Sequence, residues 1–189
     1  MLNKIRNELN SLGNNEKAKI LAGFFKTGKG QYGEGDIFLG ITVPEQRKVA
    51  KRYLNLSLDD IKVLLDSNIH EYRLTALFIL IDKYDKEQNK KEIFEFYLEN
   101  IRSVNNWDLI DLSSHRIIGD YLFQKDKKIL NKLAKSSNLW ERRIAILSTY
   151  CFIKKNKFDD TLKISEILLT DKEDLIQKAV GWMLREIGK

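Results

Sequence analysis

Trp107 and Asp111 stand four residues apart in the segment NNWDLID, and on a helix that spacing puts an indole and a carboxylate on one face. Such a pair can trap positive charge. The indole attracts a cationic ring by about 0.5–2 kcal/mol, and the carboxylate can stabilise positive charge that develops beside it during a reaction. The same spacing also describes a core tryptophan followed by a solvated cap. Few other groups compete for chemistry. Cys151, the only cysteine, sits in the apolar stretch STYCFI and reads as a buried thiol, not a nucleophile. His70 and His115, the only histidines, have no Cys or second His at ligand spacing, so no zinc constellation is present. No lysine is placed by a motif to form a Schiff base.

The surroundings of this pair repeat. Residues 67–73 read SNIHEYR and residues 137–143 read SNLWERR, 70 residues apart, which fits two helical-hairpin units of about 35 residues each. NNWDLID at 105–111 fills the place between, and LIQK brings Lys178 to the equivalent position in the next unit. Arg73, Asp111, Arg143 and Lys178 are thus separated by 38, 32 and 35 residues and are expected at the starts of successive inner helices. A basic row at that spacing suits a phosphate backbone, because each contact neutralises a phosphate and Arg can grip two of its oxygens. It equally suits a structural ladder in which repeated Arg and Asp side chains tie neighbouring units together. Trp182, flanked by Gly181 and followed by Arg185, could face nucleic acid or serve close helix packing. Trp140, beside Glu141 and Arg142, reads as a packing or rim residue.

Helices must position all of these groups. The 189 residues contain only one Pro and ten Gly, 43% are hydrophobic, and apolar residues recur at three- and four-residue spacing between short polar breaks. Helices are expected at 2–12, 16–27, 44–54, 58–66, 69–85, 88–101, 106–123, 127–135, 138–154, 159–168 and 172–187. Ser57 is the expected cap of the fourth, and Thr170 or Asp171 that of the last. The Gly-rich stretch 28–43, ahead of Pro44, matches neither a P-loop nor a dinucleotide fingerprint and reads as a shaped connection. A net charge of +6 and a pI near 9.2 permit an anionic partner without identifying one. With no run of about 18 apolar residues and no signal-peptide core, a cytoplasmic location is expected.

Four blocks, YGEGDIFLGITVPEQRKVAK, NNWDLIDLSSHRIIGDYL, NLWERRIAIL and IQKAVGWMLREIGK, together resemble the AlkD-type alkylpurine DNA glycosylases, over about residues 17–189. The resemblance implies an all-α, HEAT-like helical-repeat solenoid, an ARM-type superhelix with a concave DNA-binding face, forming a single domain over 1–189. It implies hydrolysis of the N-glycosidic bond of N3- or N7-alkylated purines in duplex DNA, by a monofunctional enzyme with no metal or redox cofactor. Asp111 matches the family's catalytic carboxylate, and Trp107 and Trp182 match the aromatics bordering the damaged nucleotide. Arg143 matches an arginine on the DNA backbone, and Arg73, Lys178 and Arg185 are the further DNA-binding candidates. The expected partner is double-stranded DNA with alkylated bases, with no membrane and no metal, and the expected state is a monomer.

Two departures accompany the resemblance. An aromatic hydroxyl found in some members near the second helix is replaced here, where Phe24 or Phe25 occupies the position. Family members continue for another helical unit beyond LREIGK, whereas this sequence stops at Lys189, so a missing C-terminal helical cap is expected. A noncatalytic HEAT-repeat module that binds DNA or protein through the same face is the alternative function, because fold similarity does not carry activity with it. A scaffold without DNA affinity is the third.

Overall fold

The computed structural model describes residues 1–86 and 89–189. Among them the chain is all-α, and the one extended feature is an isolated bridge between Ile37 and Ile69. It divides into two compact units, Met1–Gln88 and Asn89–Lys189.

The first unit holds α1 (Leu2–Ser11), α2 (Asn15–Phe24), α3 (Val43–Arg52), α4 (Leu58–Leu65) and α5 (His70–Lys86). Ser57 caps α4 as expected, accepting from the Asp60 amide. The second helix ends at Phe24, short of the expected 27, because Lys26 turns left-handed at φ 53° and Thr27 N–H bonds back to the Ala22 carbonyl. Helix α5 is the core: Leu74, Ala76, Leu77, Ile79 and Leu80 are all 2% exposed or less, and α3 and α4 pack on it. The Gly-rich connection is tied to the start of this helix. Ile37 exchanges backbone hydrogen bonds with Asn68 and His70, and the buried Glu71 carboxylate accepts from the amides of Leu39, Gly40 and Ile41. Gly40 is obligatory there, with φ 82° and the Asn14 carbonyl 2.2 Å from where a Cβ would stand.

The second unit is three helical hairpins. Its helices are α6 (Lys90–Glu99), α7 (Trp107–Ser114), α8 (Asp120–Leu122), α9 (Lys128–Ala134), α10 (Leu139–Ser148), α11 (Tyr150–Ile153), α12 (Asp159–Ile167) and α13 (Asp174–Ile187). The start expected at 88 for the sixth helix lies outside the described residues; α6 begins at Lys90 and is followed by a 3₁₀ turn, Ile101–Ser103. A π-helical turn, His115–Gly119, joins α7 to α8. Within this unit α10 packs against α7 on one side, α13 on the other and its hairpin partner α9. The final helix starts later than expected. Glu173 occupies its cap position, because Asp171 turns its carboxylate to the Arg142 guanidinium and the Glu173 amide.

Two irregularities meet in this second unit. Gly119 of the π turn lies so close to α10 that a Cβ there would stand 2.2 Å from the Ser148 carbonyl and 2.9 Å from Cys151 Cβ. At the same level the helix expected to run unbroken over 138–154 bends at Thr149, between α10 and α11. Ser148 and Thr149 hydroxyls bond back to the Ile144 and Ile146 carbonyls, a pattern that bends helices. The absence of a Cβ at Gly119 thus lets the π turn lie directly against the bend between α10 and α11.

Candidate active site

The amide of Trp107 is capped by the side chain of buried Asn106, so the indole opens α7 and Asp111 follows one turn later on the same face. The rear of α7 is fixed by Ser113, whose hydroxyl lies 2.8 Å from the Tyr97 hydroxyl and donates to the Leu109 carbonyl. Burial pushes the Tyr97 phenol up, well out of reach of neutral pH. The helix therefore presents its front face from a rigid support.

Asp111 is gripped by Arg143 of α10. Arg143 Nε donates to Oδ1 at 2.8 Å and a terminal nitrogen to Oδ2 at 2.7 Å, the planar fork that only arginine provides. The guanidinium also donates to the Leu175 carbonyl at 2.5 Å, and it is 5% exposed. Asp111 keeps 19% of its side chain open. Burial lifts its carboxyl above the ordinary aspartate value; the Arg143 fork opposes that lift and Asp108 adds to it. Asp111 is thus a largely buried carboxylate held at both oxygens by Arg143, with part of its side chain still exposed.

One turn beyond Asp111, at the start of the π turn, stands His115. Burial holds its imidazole below the usual histidine range, which keeps it neutral at pH 7, while the Asp111 backbone pulls weakly the other way. Its Nδ1 is buried without a hydrogen bond of good geometry. The ring meets Tyr150 edge-on, with centroids 5.4 Å apart at 80°, and Tyr150 in turn lies 5.8 Å from Trp182 at 39°. The Trp182 indole donates Nε1–H to Glu186 at 3.1 Å. Lys178 and Arg185 are exposed on α13, Lys178 paired with Asp174 at 2.6 Å. Trp140 is half-buried at the start of α10.

Asp111, Arg143, Trp107 and Trp182 thus fall in one unit, on α7, α10 and α13. Arg73 belongs to the other. There it is 3% exposed, with its guanidinium 2.5 Å from the Asp36 carboxylate and beside His70, which stacks on Phe38. Phe25 is buried against Phe38 and His70, whereas Phe24 is 63% exposed. Arg142, neighbour of Arg143, ties the last hairpin down through Asp171 and the carbonyls of Ser136 and Ser137. Both buried arginines of the repeat, Arg73 and Arg143, therefore have ladder geometry. Among the described residues no group of three or more His, Cys, Asp or Glu is placed to hold a metal ion, and no helix is long and apolar enough to cross a membrane.

The family model described as DNA alkylation repair enzyme matches residues 5–189. The chain belongs to this family. Among solved structures, a predicted DNA alkylation repair enzyme from Enterococcus faecalis superposes with a TM-score of 0.69 at 20% identity, covering 93% of this chain and 83% of that one. That likeness supports the fold. No curated protein matches. Membership places the protein among enzymes of DNA repair and fits the resemblance carried by its four sequence blocks.

Two residues of the site escape sequence reasoning. His115 shares the Trp107 and Asp111 face by continuing the four-residue step, a signal present in WDLIDLSSH but distinct from any metal-ligand spacing. Tyr150 gave no signal at all, since its place beside Trp182 depends on the bend at Thr149.

Proposed function

We propose that this protein is a monofunctional DNA glycosylase that removes N3- and N7-alkylated purines from duplex DNA, acting as a monomer without a metal or redox cofactor. The observation that carries the reading is the Asp111 carboxylate, forked by Arg143, open on one side and one turn from Trp107. An alkylated purine is already cationic, so it leaves with the electrons of the glycosidic bond as a neutral base and needs no proton from a general acid. The cost of the step lies in the positive charge left on the sugar. Asp111 stabilises that oxocarbenium-like charge, and a water it orients adds to C1′ and gives up a proton, leaving an abasic site. Preorganised groups aimed at developing charge typically contribute about 10²–10³ in rate, as single oxyanion-hole donors do, and Asp111 is expected to contribute on that order.

Trp107 and Trp182 border the damaged nucleotide, where indole faces attract the cationic base. Lys178 and Arg185, exposed on α13, meet the phosphate backbone. Arg143 and Arg73 reach a phosphate only by giving up part of their ion pairs, so we assign Arg143 first to holding Asp111 and Arg73 to holding the first unit. The helical hairpins on this reading are HEAT-type repeats. The test is release of 7-methylguanine from methylated duplex DNA by the chain, its Asp111→Asn variant and a protein-free control. Release by the parent with loss of about 100-fold or more in the variant is expected. No release by a folded parent that binds the DNA would overturn the reading in favour of a noncatalytic binding module.

A further inference from the structure

Trp182 lies on the last helix, and the side chain that connects it toward the carboxylate helix is not one of the residues the sequence singled out. The indole contacts Tyr150 at 5.8 Å, and Tyr150 contacts His115 at 5.4 Å, so an unbroken run of rings leads from α13 through α11 to the π turn that follows α7. Tyr150 is held in that place by more than these contacts. It is the first residue after the Thr149 bend, opposite the π turn where Gly119 packs on Ser148, and the Lys154 ammonium sits 5.1 Å from its ring centroid. On the far side the indole is tied by its bond to Glu186, which also accepts from Lys189 at 2.6 Å. Beside Trp182 there is open space at Gly181, where an added Cβ would meet nothing within 4 Å. Tyr150 and Glu186 thus hold the indole by a ring contact and a hydrogen bond.

We propose that Tyr150 is a positioning residue of the base-recognition surface: braced by His115, it seats Trp182 in fixed register with Asp111, so that a cationic purine meets indole and carboxylate together. The inference rests on the glycosylase reading for its substrate class, a purine carrying positive charge. A ring is required at position 150 and a hydroxyl is not, because the contacts to His115 and Trp182 are made by the ring. An indole released from this seat would still offer a face to any base, yet without a fixed distance to Asp111 it would lose its preference for the charged one.

The experiment uses tryptophan emission of a Trp140→Phe protein, which leaves Trp107 and Trp182 as reporters, titrated with 7-methylguanosine and, separately, with neutral guanosine. Quenching by the methylated nucleoside at a concentration about tenfold lower than guanosine is expected, from a cation–π preference of ordinary size. Tyr150→Leu, which removes the ring and leaves a smaller apolar side chain, abolishes that preference, and Tyr150→Phe retains it. Should the Leu variant fail to fold by circular dichroism, His115→Leu removes the brace instead and narrows the preference. Equal quenching by the two nucleosides in the parent, or an unchanged preference in Tyr150→Leu, overturns the inference. Release of 7-methylguanine is measured in parallel. Selective quenching without release sinks the glycosylase reading and leaves this one standing, whereas release with an unaltered Tyr150→Leu variant sinks this one alone.

Discussion

Each unit contains an aspartate gripped by an arginine from the repeated position, and the two pairs are tuned in opposite directions. Asp36 is 7% exposed and faces both Arg73 and His70; burial alone would raise its carboxyl, but hydrogen bonds and electrostatic attraction from these two side chains hold it below the ordinary 3.8 of an aspartate. Asp111 is 19% exposed and has Arg143 as its cation, yet burial carries it above that value, with Asp108 adding to the rise. Both carboxylates are desolvated, but Asp36 has two side chains favouring its charge, whereas Asp111 has one, with the Asp108 carboxylate against it. Asp36 is closed inside its ion pair, whereas Asp111 keeps an exposed edge, the feature on which the proposed function rests.

The largest contrast is expected in stability. Arg73→Met strands Asp36 and His70 in the first unit and should cost about 3–5 kcal/mol in urea denaturation, with base release per folded molecule unchanged. Asp36→Asn should destabilise in the same sense. Because its folded value is lowered, the stability from ionised Asp36 is complete above 3.8 and lost as pH falls through that value toward the lower folded one. Asp111 has the reverse sign. Its raised value means that ionisation weakens the fold as pH rises through it, but Asp111→Asn also strands the buried Arg143 guanidinium, so the variant should lose base release together with part of its stability. A loss of stability with base release per folded molecule kept would make the second pair structural like the first.

A smaller effect should appear in the pH profile. Base release, corrected for spontaneous loss at each pH, should fall on the acid side as Asp111 takes up a proton, with its midpoint above 3.8. Arg143→Lys weakens the fork that pulls this value down, so the limb should move to higher pH. An acid limb that does not move would separate Arg143 from Asp111. Smallest of all is the backbone term: Lys178→Ala and Arg185→Ala should each reduce the slope of log affinity against log salt by about 1 without altering the pH limb.

The helices were readable because the sequence is punctuated as strictly as the fold. The 70-residue echo of SNIHEYR in SNLWERR located two equivalent arginines, and both proved to sit at helix starts. What periodicity could not reveal was their partner. Asp36 comes from a Gly-rich connection with no helical register, and Asp111 from a different hairpin, so whether each arginine faces a phosphate or a carboxylate depends on packing between elements. For the same reason Trp107 and Asp111 could be placed on one face by spacing alone, while Tyr150 could not be joined to Trp182. A π turn and a back-bonded bend set that contact, and neither leaves a periodic trace.

The claim on which the account turns is that Arg143 serves the reaction through Asp111, and a double-mutant cycle on single-turnover release of 7-methylguanine tests it directly. Asp111→Asn, Arg143→Met and the double variant are compared with the parent, each checked for native circular dichroism. The account predicts strong coupling, with the double variant no slower than Asp111→Asn alone, since an arginine with no carboxylate to hold has nothing left to contribute. Losses that simply multiply would mean that the two residues act separately, and would contradict it.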